Sequence, residues 1–202
     1  MIGIIDYGLG NLASVANMLR RVRATAALVS RPEEIARADK LILPGVGAFD
    51  HGMASLEEAG LLDVLNERVL EARVPVLGLC LGMQLFTRGS EEGKRPGLGW
   101  LQAETRRLQP ADCRLKVPHM GWADVRVVRT HRLLEPPEPE LRFYFVHSYH
   151  VVCDERDCVV GEAEHGQSFC AIACAGNVMG VQFHPEKSHR FGMKLLRNFV
   201  EM

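Results

Sequence analysis

Cys80 is the residue of this sequence most suggestive of covalent chemistry. It lies in the run PVLGLCLGMQLF, residues 75–86, between Gly78 and Gly82. A cysteine flanked in this way after an apolar run is typical of a nucleophile elbow, a sharp strand-to-helix turn that leaves the middle side chain exposed. The N–H groups that open the next helix, Leu81 first, would favour a thiolate and would point at an oxyanion beside the sulfur. A buried structural cysteine fits this stretch as well.

A second motif, GVQFHPEKS at residues 180–188, offers a base for that sulfur. His184 and Glu186 stand on either side of Pro185. In an extended segment, residues two apart point to the same face, so the carboxylate can lie beside the imidazole. Such a carboxylate fixes the tautomer of the ring and supports its protonated form, as a base serving a thiol requires. The motif therefore favours the nucleophilic interpretation of Cys80.

A third stretch, LPGVGAF at residues 43–49, follows an apolar run and contains a proline and two glycines. A loop of this composition can turn its N–H groups inward and cup an anion. An ordinary glycine turn between strand and helix explains the same residues.

The other histidines and cysteines do not predict a metal site. His147 and His150 are three residues apart but have no third ligand nearby. The pairs Cys153/Cys158 and Cys170/Cys174 lack C-x2-C spacing. We expect all six cysteines to stay reduced, and the even offset of Cys170 and Cys174 predicts that both lie on one face of a strand.

The elements that must position these motifs change character along the chain. In the first half, apolar strand-like runs alternate with amphipathic helices; the runs are residues 2–6, 26–30, 40–44 and 75–79. Later segments are shorter and alternate in polarity, at residues 142–146, 159–164, 168–174 and 177–183, and a helix follows Ser188. The pattern predicts an α/β fold: a doubly wound, flavodoxin-like, mostly parallel sheet with helices on both faces and an added antiparallel portion in the second half. Two local predictions are a capping box at Ser30–Glu33 and a proline-stiffened surface loop at 133–140.

The totals restrict the function classes. The chain has 202 residues, 47% of them apolar, and 24 basic against 25 acidic side chains. This length suits one domain over residues 1–202. The balanced charge gives no general attraction to nucleic acid or an anionic membrane, and no apolar run is long enough to span a bilayer. We expect a cytoplasmic protein.

The three motifs together, in their order along the chain, resemble the signatures of class I (triad) glutamine amidotransferases. Within that family, the stretches DYGLGNLAS (6–14), VPHMGW (117–122) and FYFVHSYH (143–150) resemble the glutaminase subunits of imidazole glycerol phosphate synthases of histidine biosynthesis. The resemblance runs from residue 6 to residue 199. It implies a glutaminase without metal or organic cofactor.

The resemblance also assigns roles to individual residues. Cys80 would be the nucleophile, His184 the general acid and base, and Glu186 its orienting partner. The N–H groups of Leu81 and Val46 would form the oxyanion hole. The glutamine contacts implied are Gly47, Gln84, Ser148 and Tyr149, and the partner contacts implied are Asn11, Trp122, Tyr144 and Lys187.

The partner implied by the resemblance is a cyclase subunit, a (β/α)8 barrel that forms a heterodimer with the glutaminase. It would receive ammonia through a channel and convert the nucleotide PRFAR to imidazole glycerol phosphate and AICAR. One alternative is a triad amidotransferase that serves anthranilate, aminodeoxychorismate, guanylate or pyridoxal phosphate synthesis. A catalytically idle subunit that only supports a partner is another.

Overall fold

The computed structural model describes residues 1–202 and contains twelve strands and six α-helices. The strands are β1 (Ile2–Ile5), β2 (Ala26–Val29), β3 (Lys40–Gly45), β4 (Val76–Cys80), β5 (Ala103–Arg107), β6 (His119–Asp124), β7 (Arg126–Val127), β8 (Arg142–His147), β9 (Tyr149–Cys153), β10 (Val159–Glu164), β11 (Ser168–Ala175) and β12 (Val178–Val181). The helices are α1 (Leu12–Arg21), α2 (Pro32–Ile35), α3 (Phe49–Glu58), α4 (Leu62–Asn66), α5 (Leu81–Leu85) and α6 (His189–Glu201). A π-helical turn, Glu67–Glu71, extends α4.

One ten-stranded sheet contains strands from both halves of the chain. Its first five strands are parallel, in the order β2-β1-β3-β4-β12, and antiparallel strands β11, β10 and β7 continue the sheet. Strand β9 pairs with both β11 and β5, while β6 and β8 form a separate two-stranded sheet. The order of the parallel strands is that of a flavodoxin-like sheet. The fold class predicted from the sequence is confirmed.

Helices cover both faces of the parallel strands because these strands are apolar on both sides. Every residue of β1 and of β4 is buried. On one face, α3, α4 and α5 pack onto the sheet through buried residues such as Phe49, Leu65 and Leu85. On the other face, α1 and α6 pack together with the small sheet through residues such as Leu19, Phe199 and Phe145. No helix combines the length and apolar character needed to cross a membrane.

Two local predictions were wrong in detail. The capping box of α2 is formed one residue later than expected, with Arg31 as N-cap and Glu34 accepting from its backbone N–H, because Pro32 occupies the favourable first position of the helix. The segment 133–140 is not wholly a surface loop. Leu133 and Leu134 belong to a 3-10 turn and are buried, since this turn packs against α6.

The cysteines of the second half also depart from expectation. Cys170 and Cys174 are both buried, but they belong to the cores on opposite faces of the sheet. The register between β10 and β11 shifts around Gly161, and a bulge of this kind reverses the alternation of side chains beyond it. Cys153 and Cys158 form a disulfide, with Cα atoms 6.6 Å apart, which lies within the range that a disulfide can bridge. The expectation that all six cysteines stay reduced was therefore wrong for this pair.

Candidate active site

The elbow predicted around Cys80 is present. Cys80 ends β4 with φ of 53° and ψ of −108°, a backbone conformation that is strained for a residue with a side chain, and α5 begins at the next residue. A Cβ atom on Gly82 would lie 1.8 Å from the carbonyl oxygen of Leu43, and one on Gly78 would lie 2.6 Å from the backbone nitrogen of Met83. The two glycines therefore allow α5 to start directly against β3 and β4.

His184 reaches the same edge of the sheet from the far end of the sequence. Strand β12 lies parallel to β4, with Val181 opposite Leu79, so the residues that follow both strands emerge side by side. The backbone N–H of His184 donates to the carbonyl of Tyr144, 2.9 Å away, which fixes the segment against β8. Two strands adjacent in space thus bring together Cys80 and His184, which are about a hundred residues apart in the chain.

Glu186 contacts His184 as expected, but not through an extended segment. Nδ1 of His184 lies 2.9 Å from Oε1 of Glu186, and both side chains are almost completely buried. Pro185 to Lys187 form a 3-10 turn, because proline suits the first position of such a turn and β12 has already ended at Val181. The turn, rather than strand alternation, places the carboxylate beside the ring.

The electrostatics of this group favour a protonated imidazole. Burial alone would lower the pKa of His184, but hydrogen bonds and charge interactions with Cys80 and Glu186 outweigh it and raise the pKa from 6.5 to about 10. At neutral pH the ring therefore carries a proton on each nitrogen, and Nδ1 donates to Glu186.

A cleft of about 340 Å³ opens over Cys80. It brings together most of the residues that the sequence nominated: Val46, Gly47, Cys80, Leu81, Gln84, Ser148, Tyr149, His184 and Lys187. Glu186 lies behind His184, whereas Asn11, Trp122 and Tyr144 lie outside the cleft. The remaining lining residues, which the sequence reasoning did not nominate, are Glu92, Pro118, Val146 and His147.

The loop after β3 forms one wall of the cleft. The N–H of Val46 donates to no acceptor within the chain, and Gly47 has φ of 106°, which a side chain would disfavour. The hydroxyl of Tyr7 donates to the carbonyl of Pro44, 2.8 Å away, and holds the start of this loop. Burial raises the pKa of the Tyr7 hydroxyl, and the nearby Cys80 raises it further, so the phenol stays neutral.

Glu92 and His147 are the functional candidates that sequence reasoning missed. Oε2 of Glu92 accepts from the backbone N–H of Phe49, 2.9 Å away, so this residue of a polar loop caps α3 and borders the cleft. Burial lowers the pKa of His147 to about 3, and burial together with His165 lowers that of His119 to about 4. Nothing in the local sequence identifies Glu92, because its carboxylate bonds Phe49, which is 43 residues away in the chain.

Three of the four nominated partner contacts form a surface beside the cleft. The Trp122 ring meets Tyr144 edge-on at 6.0 Å, and Nζ of Lys187 lies 5.7 Å from the centre of the Tyr144 ring. Trp122 also stacks on His189 at 5.6 Å and remains 38% exposed. Asn11 is exposed at the N-terminus of α1, and its side chain does not cap that helix.

Comparison with known proteins supplies the family. A family model described as glutamine amidotransferase class-I matches residues 3–202. The chain is 52% identical over 202 residues to "Imidazole glycerol phosphate synthase subunit HisH 2" of Pseudomonas aeruginosa, covering all of both chains. It is 46% identical over 201 residues to a protein of the same description from Methanococcus maripaludis, covering 100% of this chain and 99% of that one.

Solved structures support the fold. A crystal structure described as a glutamine amidotransferase matches with a TM-score of 0.76 at 21% identity, covering 99% of this chain and 97% of that chain. A structure of PurLQS from Thermotoga maritima matches with a TM-score of 0.76 at 18% identity and the same coverage of both chains.

Proposed function

The chain belongs to the class-I glutamine amidotransferase family, and on this premise we propose that it is the glutaminase subunit of an imidazole glycerol phosphate synthase in histidine biosynthesis. The similarity to such subunits extends over the full length of the chain. The observation that carries the chemistry is the pairing of a strained Cys80 with His184 at the ends of two adjacent parallel strands. A protein that only supported a partner would not need this pair.

In the proposed first half-reaction, the Cys80 thiolate attacks the side-chain amide carbon of glutamine. The carbonyl oxygen becomes an oxyanion, which the N–H groups of Leu81 and Val46 stabilise. His184 gives its proton to the amide nitrogen, so the carbon–nitrogen bond breaks and ammonia leaves. The free N–H of Val46 and its position in the cleft wall support this role.

In the second half-reaction, His184 takes a proton from water, which attacks the γ-glutamyl thioester. The carbon–sulfur bond breaks, glutamate leaves and the thiolate is regenerated. Glu186 holds the ring in orientation through both steps, which its 2.9 Å contact with Nδ1 supports. No redox change occurs in either step.

Substrate binding is assigned to the residues that line the cleft. Gly47, Gln84, Ser148 and Tyr149 would contact glutamine, as the family resemblance implies. Glu92 adds a carboxylate to the lining of this cleft, and a carboxylate suits the α-ammonium group of an amino acid.

The ammonia passes to a cyclase partner, which we propose is a (β/α)8 barrel that docks over the cleft as a heterodimer. The cluster of Trp122, Tyr144 and Lys187 beside the cleft supports a contact there, and Asn11 is assigned to the same interface. The cytoplasmic location expected from the sequence stays a prediction.

The test is reconstitution with a histidine-pathway cyclase. Cys80→Ala should abolish glutamine-dependent synthesis of imidazole glycerol phosphate, while added ammonium salt should still support synthesis by the cyclase. Glutamate release by the unmodified chain should increase strongly when cyclase and its nucleotide are added. Glutamine hydrolysis by the Cys80→Ala complex would disprove the assignment of the nucleophile, and equal hydrolysis with and without the cyclase would contradict the proposed pathway.

A further inference from the structure

Gln182 is a fully buried polar residue that contacts the sulfur and has no part in the mechanism above. Its Nε2 donates to Sγ of Cys80 at 3.7 Å, and its side chain has no exposed surface. It lies one residue beyond β12 and two before His184, where its backbone N–H donates to the carbonyl of Ala171. The same segment therefore brings two side chains to the sulfur.

The orientation of the Gln182 amide is determined by its neighbours. The backbone carbonyl of Tyr149 can only accept, and Nε2 of Gln84 donates to it at 3.0 Å. The same Nε2 also donates to Oε1 of Gln182 at 3.1 Å. Because Oε1 is engaged there, Nε2 is the end of Gln182 that faces the sulfur. We call this sequence of bonds, from the Tyr149 carbonyl through Gln84 and Gln182 to the sulfur, the amide chain.

His147 also contacts the Tyr149 carbonyl, the acceptor at which the amide chain begins. Nδ1 of His147 lies 2.8 Å from the Tyr149 carbonyl, and its Nε2 lies 3.3 Å from Nδ1 of His119. Burial keeps both rings neutral at pH 7, so each carries one proton, and His147 donates from Nδ1 while it accepts at Nε2. The Tyr149 carbonyl thus accepts two hydrogen bonds, and a reversed Gln84 would place two oxygens against each other.

A donor fixed in this way acts differently on the two forms of the sulfur. A thiol can direct its S–H to the Val146 carbonyl, 3.8 Å away, and accepts only weakly from an amide. A thiolate can only accept, and hydrogen bonds to charged groups are about twice as strong as neutral ones. We propose that Gln182 is a further catalytic residue, whose side-chain N–H stabilises the Cys80 thiolate and is aimed at it by the amide chain. The proposal rests on the proposed function in that Cys80 is taken as the nucleophile.

The test is alkylation of the unmodified thiol in the full chain by iodoacetamide, followed by mass spectrometry of the Cys80 peptide as a function of pH. Gln182→Met keeps the length of the side chain and removes both polar atoms. It should move the half-maximal rate about one pH unit higher, and so lower the rate about tenfold at pH values below the wild-type midpoint, because a hydrogen bond to a charged group contributes on this scale. The exposed thiol Cys113 in the same sample supplies an internal reference.

Two further variants make the result specific. Gln182→Asn keeps a buried amide but withdraws its nitrogen from the sulfur by one carbon–carbon bond, so it should shift the profile in the same direction. This variant replaces Gln182→Met in the test if Gln182→Met does not fold. Gln109→Met, on an exposed side chain outside the amide chain, should leave the profile unchanged. A folded Gln182 variant with the wild-type profile would overturn the proposal. Alkylation requires neither glutamine nor a partner, so this outcome is distinguishable from failure of the proposed function, which the Cys80→Ala reconstitution tests.

Discussion

At the scale of single residues, the site depends on a histidine whose protonation is set by its neighbours. Burial opposes the charge on His184, yet Cys80 and Glu186 together raise its pKa to about 10. In the unfolded chain this histidine has an ordinary pKa near 6.5. The contribution of the charged ring to folding stability is therefore fully present below pH 6.5 and is lost as the pH rises through about 10.

Glu186→Gln tests this contribution. The variant should lower the rate of glutamine hydrolysis in the activated complex roughly 100-fold, because the ring loses its charged partner. It should also reduce the free energy of unfolding by about 2 kcal/mol near pH 6.5, and the difference from wild type should shrink toward pH 10. Urea unfolding at several pH values measures it, with the exposed Glu58→Gln as control. A difference that grew with pH would contradict the assigned direction of the shift.

Residue types at short spacing made the centre of the site predictable. Gly78, Cys80 and Gly82 define an elbow locally, and His184 with Glu186 define an acid–base pair within three residues. Gln182 and Glu92 were not predictable, because a glutamine or glutamate acquires its role from contacts with distant segments: Gln182 with Cys80, and Glu92 with Phe49. The catalytic and binding roles of the nominated residues stay predictions.

At the scale of elements, the strand-to-helix turn at Cys80 requires close backbone approach. Gly82→Ala would force a Cβ to within 1.8 Å of a carbonyl oxygen in β3, so it should destabilise the fold by at least about 3 kcal/mol. Gly89→Ala is the matched control, because its Cβ would meet only a carboxylate oxygen at 3.7 Å, an ordinary contact. Its unfolding free energy should change by less than about 1 kcal/mol. Denaturant unfolding of both proteins makes the comparison, and equal stabilities would refute a tight elbow.

The parallel strands were predictable because they are apolar on both sides and alternate with helical periodicity. The sequence AETRR of β5 does not have a strand-like pattern, and it becomes a strand because it pairs with β9 across its whole length. The bulge near Gly161 was equally hidden, since it depends on how β10 and β11 align. Pairing between segments is a tertiary property that local periodicity does not encode.

At the scale of the whole molecule, the exposed ring of Trp122 marks the proposed partner face. Trp122→Ala should weaken cyclase binding about 30-fold, because a central aromatic contact contributes about 2 kcal/mol or more. Val127→Ala, at a side chain that is 40% exposed on the edge strand β7, should leave binding unchanged. Titration of each variant with the cyclase measures the affinity. Wild-type affinity for Trp122→Ala would place the interface elsewhere.

The prediction that residues 1–202 form one domain agrees with a sheet that joins strands from both halves, and it stays a prediction. The class of fold followed from the order of elements along the chain. The separate β6–β8 sheet could not be predicted from that order, because its two strands are paired only in the tertiary structure.

The position of β12 beside β4 has a consequence for protein synthesis. The ribosome makes the strand that ends in Cys80 about a hundred residues before the strand that leads to His184. A growing chain therefore carries its elbow cysteine without its base, and the amide of Gln182 arrives with the same late segment. In the proposed mechanism the sulfur meets its acid and base only when the last strand enters the sheet, so we expect an incomplete chain not to hydrolyse glutamine.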